Sequence, residues 1–204
     1  MHRRTLLGAL AASTLAASLP HAALAQAAKP EVWEIAIGNP DAKVTLTEYA
    51  SYTCPHCANF HTAVWKDLKR DYIDTGKVRF IYREVYFDRY GLWAAMVARC
   101  GGEMRYFGIQ DMLYSQQREW SGAGDPVAIV EALRKIGLTA GLTKEQLDTC
   151  LSDGAMAEAM MAKFQQNAEA DKIDSTPSLL INGEKHGNMG YAALAKLLDA
   201  KLAE

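Results

Sequence analysis

Apolar and β-branched residues crowd the stretch KVTLTEY, residues 43 to 49, and KVRFIYREVYF, residues 77 to 87, has the same character; both predict strands. Between them Cys57, Phe60, Val64, Leu68 and Tyr72 recur at spacings of three and four, which lines them along one face of a helix. A strand, helix, strand order of this kind joins parallel strands through a right-handed crossover. From Arg89 to Asp171 strand character lapses. Helical patterns follow one another there, broken by Gly101-Gly102, by SGAGDP and by GLTAGLT. Within them TKEQLDTCL opens with Thr143 three residues before Gln146, a capping-box arrangement that puts Cys150 on a short helix. Strand character returns in PSLLI, residues 177 to 181, followed by a turn at Asn182-Gly183 and an amphipathic helix from Tyr191 to Leu202.

The chain has 204 residues, 50% of them hydrophobic, enough to bury a full core. The interrupted pattern divides it into residues 26–88 with 172–204, which share one sheet, and residues 89–171, an inserted helical domain. Residues 1–25 stand apart: Arg3-Arg4, the apolar stretch TLLGALAASTLAASL and the small residues Ala23 and Ala25 around Leu24 predict a cleaved export signal. The apolar run is too short and too rich in Ala, Ser and Thr for a membrane anchor. The ordinary secretory reading leads; the paired arginines leave twin-arginine export open. Cleavage would take Arg3 and Arg4 from the 22 basic residues and none of the 24 acidic ones, leaving a mildly acidic exported protein. No basic run is dense enough to follow a phosphate backbone, so nucleic acid is not an expected partner.

Export changes how the four cysteines read, because an oxidising compartment permits disulfides. Cys54 and Cys57 are too close in sequence to staple a fold, so a bond between them would be a local, working one; Cys100 and Cys150 remain as a candidate structural pair. If Cys54 is an N-cap, Pro55 falls at the first helical position, where its fixed φ suits the helix and its missing N–H is not needed. The Cys54 sulfur then faces the free amides of His56 and Cys57 at the positive end of the helix, which favours a thiolate. A protonated His56 would add to that. Cys57 begins the apolar stripe and should be buried, so one cysteine attacks and the other resolves. A zinc site built from Cys54, Cys57 and His61 lacks a fourth ligand, so no metal is expected. Covalent haem attachment needs histidine where Ala58 stands.

Two further positions carry readings that the sequence leaves open. Thr176-Pro177 is either an ordinary turn before the resumed strand or a cis proline facing the cysteines, with the Thr176 backbone free to pair with an extended substrate. Glu48, six residues before Cys54, is either a carboxyl group buried beneath the cysteines, able to move a proton during exchange, or a surface-facing residue of its strand.

Taken together, CPHC, the upstream glutamate, the helical insert, the threonine-proline and the closing strand-and-helix unit resemble the DsbA family of periplasmic disulfide oxidoreductases over about residues 30 to 204. The resemblance implies an α/β thioredoxin fold, with a helical domain inserted between the βαβ half and the C-terminal ββα half. It implies Cys54 as nucleophile, Cys57 as resolving thiol, a cis Pro177 and no cofactor. The implied partners are reduced, unfolded exported proteins and a membrane quinone-linked thiol oxidase that restores the disulfide, with the protein acting in the periplasm as a monomer. Thr176 departs from the aliphatic residue of the family prototype, and Tyr82 stands where its lysine aligns, so no buried acid-lysine pair is expected. The alternatives are a disulfide isomerase or reductase of the same superfamily, or a redox-inactive carrier holding Cu(I) through Cys54 and Cys57. Isomerases of this type carry a preceding dimerisation domain, for which the sequence before the first strand offers no room.

Overall fold

The structure, a computed structural model, describes residues 30–204. The expected export signal at residues 1–25 lies outside the described residues. Five strands form one mixed sheet in the order β1-β3-β2-β4-β5: β1 (Ile35–Ile37), β2 (Val44–Ala50), β3 (Val78–Glu84), β4 (Ser178–Ile181) and β5 (Glu184–His186). The β2 and β3 strands run parallel, with Glu48 level with Tyr82, and all other neighbours are antiparallel. Both faces of β2 are covered, Leu46 by the main core and Tyr49 by a smaller cluster, so its pattern is one of near-continuous burial rather than simple alternation.

Between β2 and β3 the chain forms a long helix: α1 (Pro55–Phe60), a π-helical turn at His61–Trp65, α2 (Lys66–Leu68) and a second π turn at Lys69–Ile73. The sequence stripe explains those wide turns. Steps of four from Phe60 through Val64 and Leu68 to Tyr72 would drift by about 40° each around an ideal helix of 3.6 residues per turn. The wider π turns absorb that drift, and all four side chains remain buried together with Cys57.

Six helices stand between β3 and β4: α3 (Arg89–Cys100), α4 (Gly102–Ser115), α5 (Gln117–Ser121), α6 (Pro126–Thr139), α7 (Lys144–Ser152) and α8 (Gly154–Ala170). Their ends follow capping chemistry. Asp88 accepts from the amides of Tyr90 and Gly91, Asp125 from those of Val127 and Ala128 ahead of Pro126, and Thr143 with Gln146 closes the expected capping box. Close approach of α6 and α7 requires Gly137, where a Cβ would come within 2.6 Å of Leu147. The β4–β5 hairpin turns on Asn182 (φ 49°) and Gly183 (φ 86°), the left-handed pair that a two-residue hairpin favours. The closing helix, α9 (Tyr191–Ala203), buries Leu194 and Leu198.

The main core runs from one face of the sheet, through Leu46, Phe80 and Leu179, into the insert, through Tyr106, Leu113 and Leu133. On the opposite face Tyr49, Val85 and Leu180 form a small cluster against Phe164 and Ile173. No described helix is long and apolar enough to cross a membrane.

Candidate active site at the start of α1

Cys54 occupies the N-cap of α1 in an extended conformation (φ −81°, ψ 119°), Pro55 is at the first helical position, and the Cys54 carbonyl accepts the first helical bond from the Ala58 amide at 3.2 Å. Both Cys54 and Cys57 are free thiols, so the geometry is that of the reduced protein. Cys57 is fully buried and Cys54 is 8% exposed. The sulfur of Cys54 closes no hydrogen bond of its own to the cap amides.

The two thiols have opposite acidities. Cys54 is pulled down from 9.0 to about 5, first by a hydrogen bond from the Cys57 thiol, which outweighs burial, and then by the Thr176 side chain and the backbone amides of Cys57 and His56. Donating that bond, being buried and lying near the Glu48 charge push Cys57 strongly upward. The helix start therefore contributes to the Cys54 thiolate but ranks behind the partner thiol, and His56, whose side chain is exposed, acts through its amide.

Glu48 is on β2 between Tyr82 of β3 and Leu179 of β4, 5% exposed, and its carboxyl makes no hydrogen bond to any described residue. Of the two readings open in the sequence, the structure has the buried one. Burial, followed by the Cys54 charge, raises its pKa from 4.5 to about 8. The Thr176–Pro177 peptide is cis, Pro177 is buried, and the Thr176 carbonyl is 3.7 Å from the Cys54 sulfur.

Several residues that fix the site carry no local sequence signal. Gln117, at the start of α5, donates from one nitrogen to the carbonyls of Tyr52 at 2.7 Å and Cys54 at 2.9 Å, tying the insert to the cysteine loop. Thr53 donates to Asp88 at 2.8 Å, so the cap of α3 also holds this loop. Behind it is a buried group of tyrosines. Glu84 pairs with Arg99 at 2.7 Å and accepts from Tyr86 at 2.6 Å and Tyr106 at 2.8 Å. Tyr106 and Tyr52 share a bond of 2.7 Å, and since the Tyr106 proton goes to Glu84, Tyr52 is the donor in that bond. Beside Glu48, Tyr82 and Tyr114 are 2.6 Å apart at their hydroxyls. Burial raises all five phenols well above 10, so they remain neutral donors.

His61 is buried, stacked between Trp65 and Tyr114 and bonded to Asp111 at 2.9 Å, which is a packing role. Cys100, at the end of α3, is bonded to Cys150 on α7, with Cα atoms 5.9 Å apart. Among the described residues no cluster of three or more His, Cys, Asp and Glu is arranged to hold a metal ion.

Comparison with known proteins agrees with this geometry. A protein of Rickettsia bellii named "Putative protein-disulfide oxidoreductase" is 34% identical over 172 residues, covering 84% of this chain but 65% of that protein. The chain thus spans about two thirds of the length of that relative. The crystal structure of alpha-DsbA1 from Wolbachia pipientis superposes with a TM-score of 0.77 at 25% identity, over 85% of this chain and 93% of that one. A protein-disulfide isomerase from Novosphingobium aromaticivorans gives 0.76 at 26% identity, over 84% and 98%. The thioredoxin family model matches residues 31–200, and with the fold and the paired cysteines already described, this chain belongs to the thioredoxin family.

Proposed function

We propose that the protein is a thiol-disulfide oxidoreductase that donates a Cys54–Cys57 disulfide to reduced exported polypeptides. The observation that carries this reading is the split between the thiols, Cys54 at about 5 and Cys57 pushed up. In the oxidised protein a client thiolate attacks the Cys54 sulfur, the Cys54–Cys57 bond breaks, and Cys57 leaves as a thiolate. Glu48 is the nearby acid with a proton to give, since burial, the larger cause of its raised pKa and one that acts whether or not Cys54 is charged, favours the protonated carboxyl. A second client thiolate then attacks the client sulfur of the mixed disulfide. Cys54 departs as a stable thiolate, the client keeps the disulfide, and the two electrons remain on the reduced pair. A low-pKa thiol leaves fast, and a stabilised reduced form makes the centre oxidising.

Thr176 and Pro177 border the attacked sulfur and would pair with the main chain of the client, while the Cys100–Cys150 bond braces the insert. The periplasm, and a membrane quinone-linked oxidase that returns the disulfide, are the setting and partner that fit this chemistry. The test is the equilibrium of the pair with glutathione. An oxidase gives a potential well above that of thioredoxin, about −270 mV, and oxidises a reduced peptide stoichiometrically; a potential at or below thioredoxin's makes the protein a reductase. Turnover of a scrambled disulfide substrate by the reduced form would favour isomerisation, and Cu(I) retained by anaerobically purified reduced protein would favour the carrier reading.

A further inference from the structure

A polar groove of about 350 Å³ runs between α1 and the α4–α5 junction, and no residue of the cis-proline loop lines it. Pro55, next to Cys54 in the chain, forms its lip, and Gln117, whose amide holds the Cys54 carbonyl at 2.9 Å, is in its wall. The groove therefore begins one residue along the chain from the attacked cysteine. Two carboxamides, the exposed Asn59 and the half-buried Gln116, also line it, and neither side chain has a hydrogen bond to any described residue. The hydroxyls of Thr62 and Ser115 are already committed to helix carbonyls, at 2.8 Å to Ala58 and 3.2 Å to Met112. Arg118 and Glu119 add one charge of each sign, so the walls favour neither acidic nor basic ligands.

We propose that this groove is a second client subsite, in which Asn59 and Gln116 bind the main chain of an extended polypeptide whose cysteine is attached at Cys54. The proposal rests on the oxidoreductase reading above. A carboxamide offers a donor and an acceptor side by side, as a peptide unit does, so it recognises main chain irrespective of side chains. That suits an enzyme acting on many unfolded sequences. The Thr176 carbonyl serves the client on one side of the sulfur, and the groove takes the chain leaving on the other side.

The test is the rate at which the oxidised protein is reduced by three thiols: glutathione, and two peptides of about a dozen residues with the single cysteine near one end or the other. Asn59→Ala with Gln116→Ala should lower the peptide-to-glutathione ratio of rate constants for at least one peptide by roughly tenfold, as expected for two neutral hydrogen bonds. Ratios unchanged for both peptides overturn the proposal, and so does an equal fall for both peptides and glutathione. A wild-type disulfide that none of the three thiols reduces would instead sink the oxidoreductase reading itself. Denaturation midpoints for the double variant and the wild type separate loss of the groove from loss of the fold.

Discussion

Cys54 and Cys57 share one turn of helix, yet the bond between their thiols, ahead of several lesser contacts, drives their acidities apart. Because the Cys57 thiol is the largest cause of the low Cys54 pKa, Cys57→Ala should raise that pKa from about 5 toward 9, whereas Cys57→Ser, which keeps a donor, should leave it nearer the wild-type value. An ultraviolet thiolate titration of the reduced protein reads both, and equal values in the two variants would refute the assignment. His56→Ala, which keeps the amide, should move the titration little. Cys57→Ser should also accumulate mixed disulfides with client thiols, seen as bands that vanish on reduction, and Cys54→Ser should form none. At this scale the sequence was informative: Pro55 at the first helical position and Cys57 at the head of the stripe announced which thiol is capped and which is buried. The rank of the causes was not legible, because it depends on how near one sulfur lies to the other.

The longer elements could be read from their patterns, and the short ones could not. Strands β2, β3 and β4 stand out by their runs of apolar and β-branched residues, and helix α9 by its period. At three residues each, β1 and β5 do not, and they exist because neighbouring strands supply their hydrogen bonds. Gln117 and the tyrosine group were illegible for a related reason, since their partners lie far away in sequence. Glu84 and Arg99 illustrate the energetic stakes: their side chains are 3% and 11% exposed, so Arg99→Met should leave a buried carboxylate without its cation. Loss of one partner from a buried pair costs about 3–5 kcal/mol, which a urea titration would detect. The Cys100–Cys150 bond closes a separation of 50 residues, worth up to about 4 kcal/mol on a chain-entropy estimate. The doubly Ser-substituted protein should unfold at lower denaturant while still oxidising peptide; full loss of oxidation with stability intact would mean that the bond serves the active site rather than the fold.

For the molecule as a whole, the two perturbed acids beneath and at the helix start have to be counted together. The folded Cys54 pKa lies below its ordinary 9.0, so its contribution to stability is full above 9 and is lost as pH falls toward about 5. The folded Glu48 pKa lies above its ordinary 4.5, so burial costs nothing below that pH and stability declines as pH rises toward about 8. Across the window from about 5 to about 8, the unfolded reduced chain has a protonated thiol and an ionised carboxyl, and the folded one has the reverse. The number of bound protons is the same in both states. For these two groups folding amounts to an internal proton transfer, and the pair adds no slope to the stability of the reduced form across that window. Glu48→Gln removes one side of the exchange: the reduced variant should gain stability with rising pH, by up to about 1.4 kcal/mol per unit, while the wild type should show no such slope from these two groups. Denaturant midpoints at pH 5.5 and 7.5, compared between variant and wild type, would expose the difference, and parallel curves would contradict it. An acid shift that would weaken a protein relying on one perturbed thiol costs this reduced form nothing, within that window, through the Cys54 and Glu48 pair.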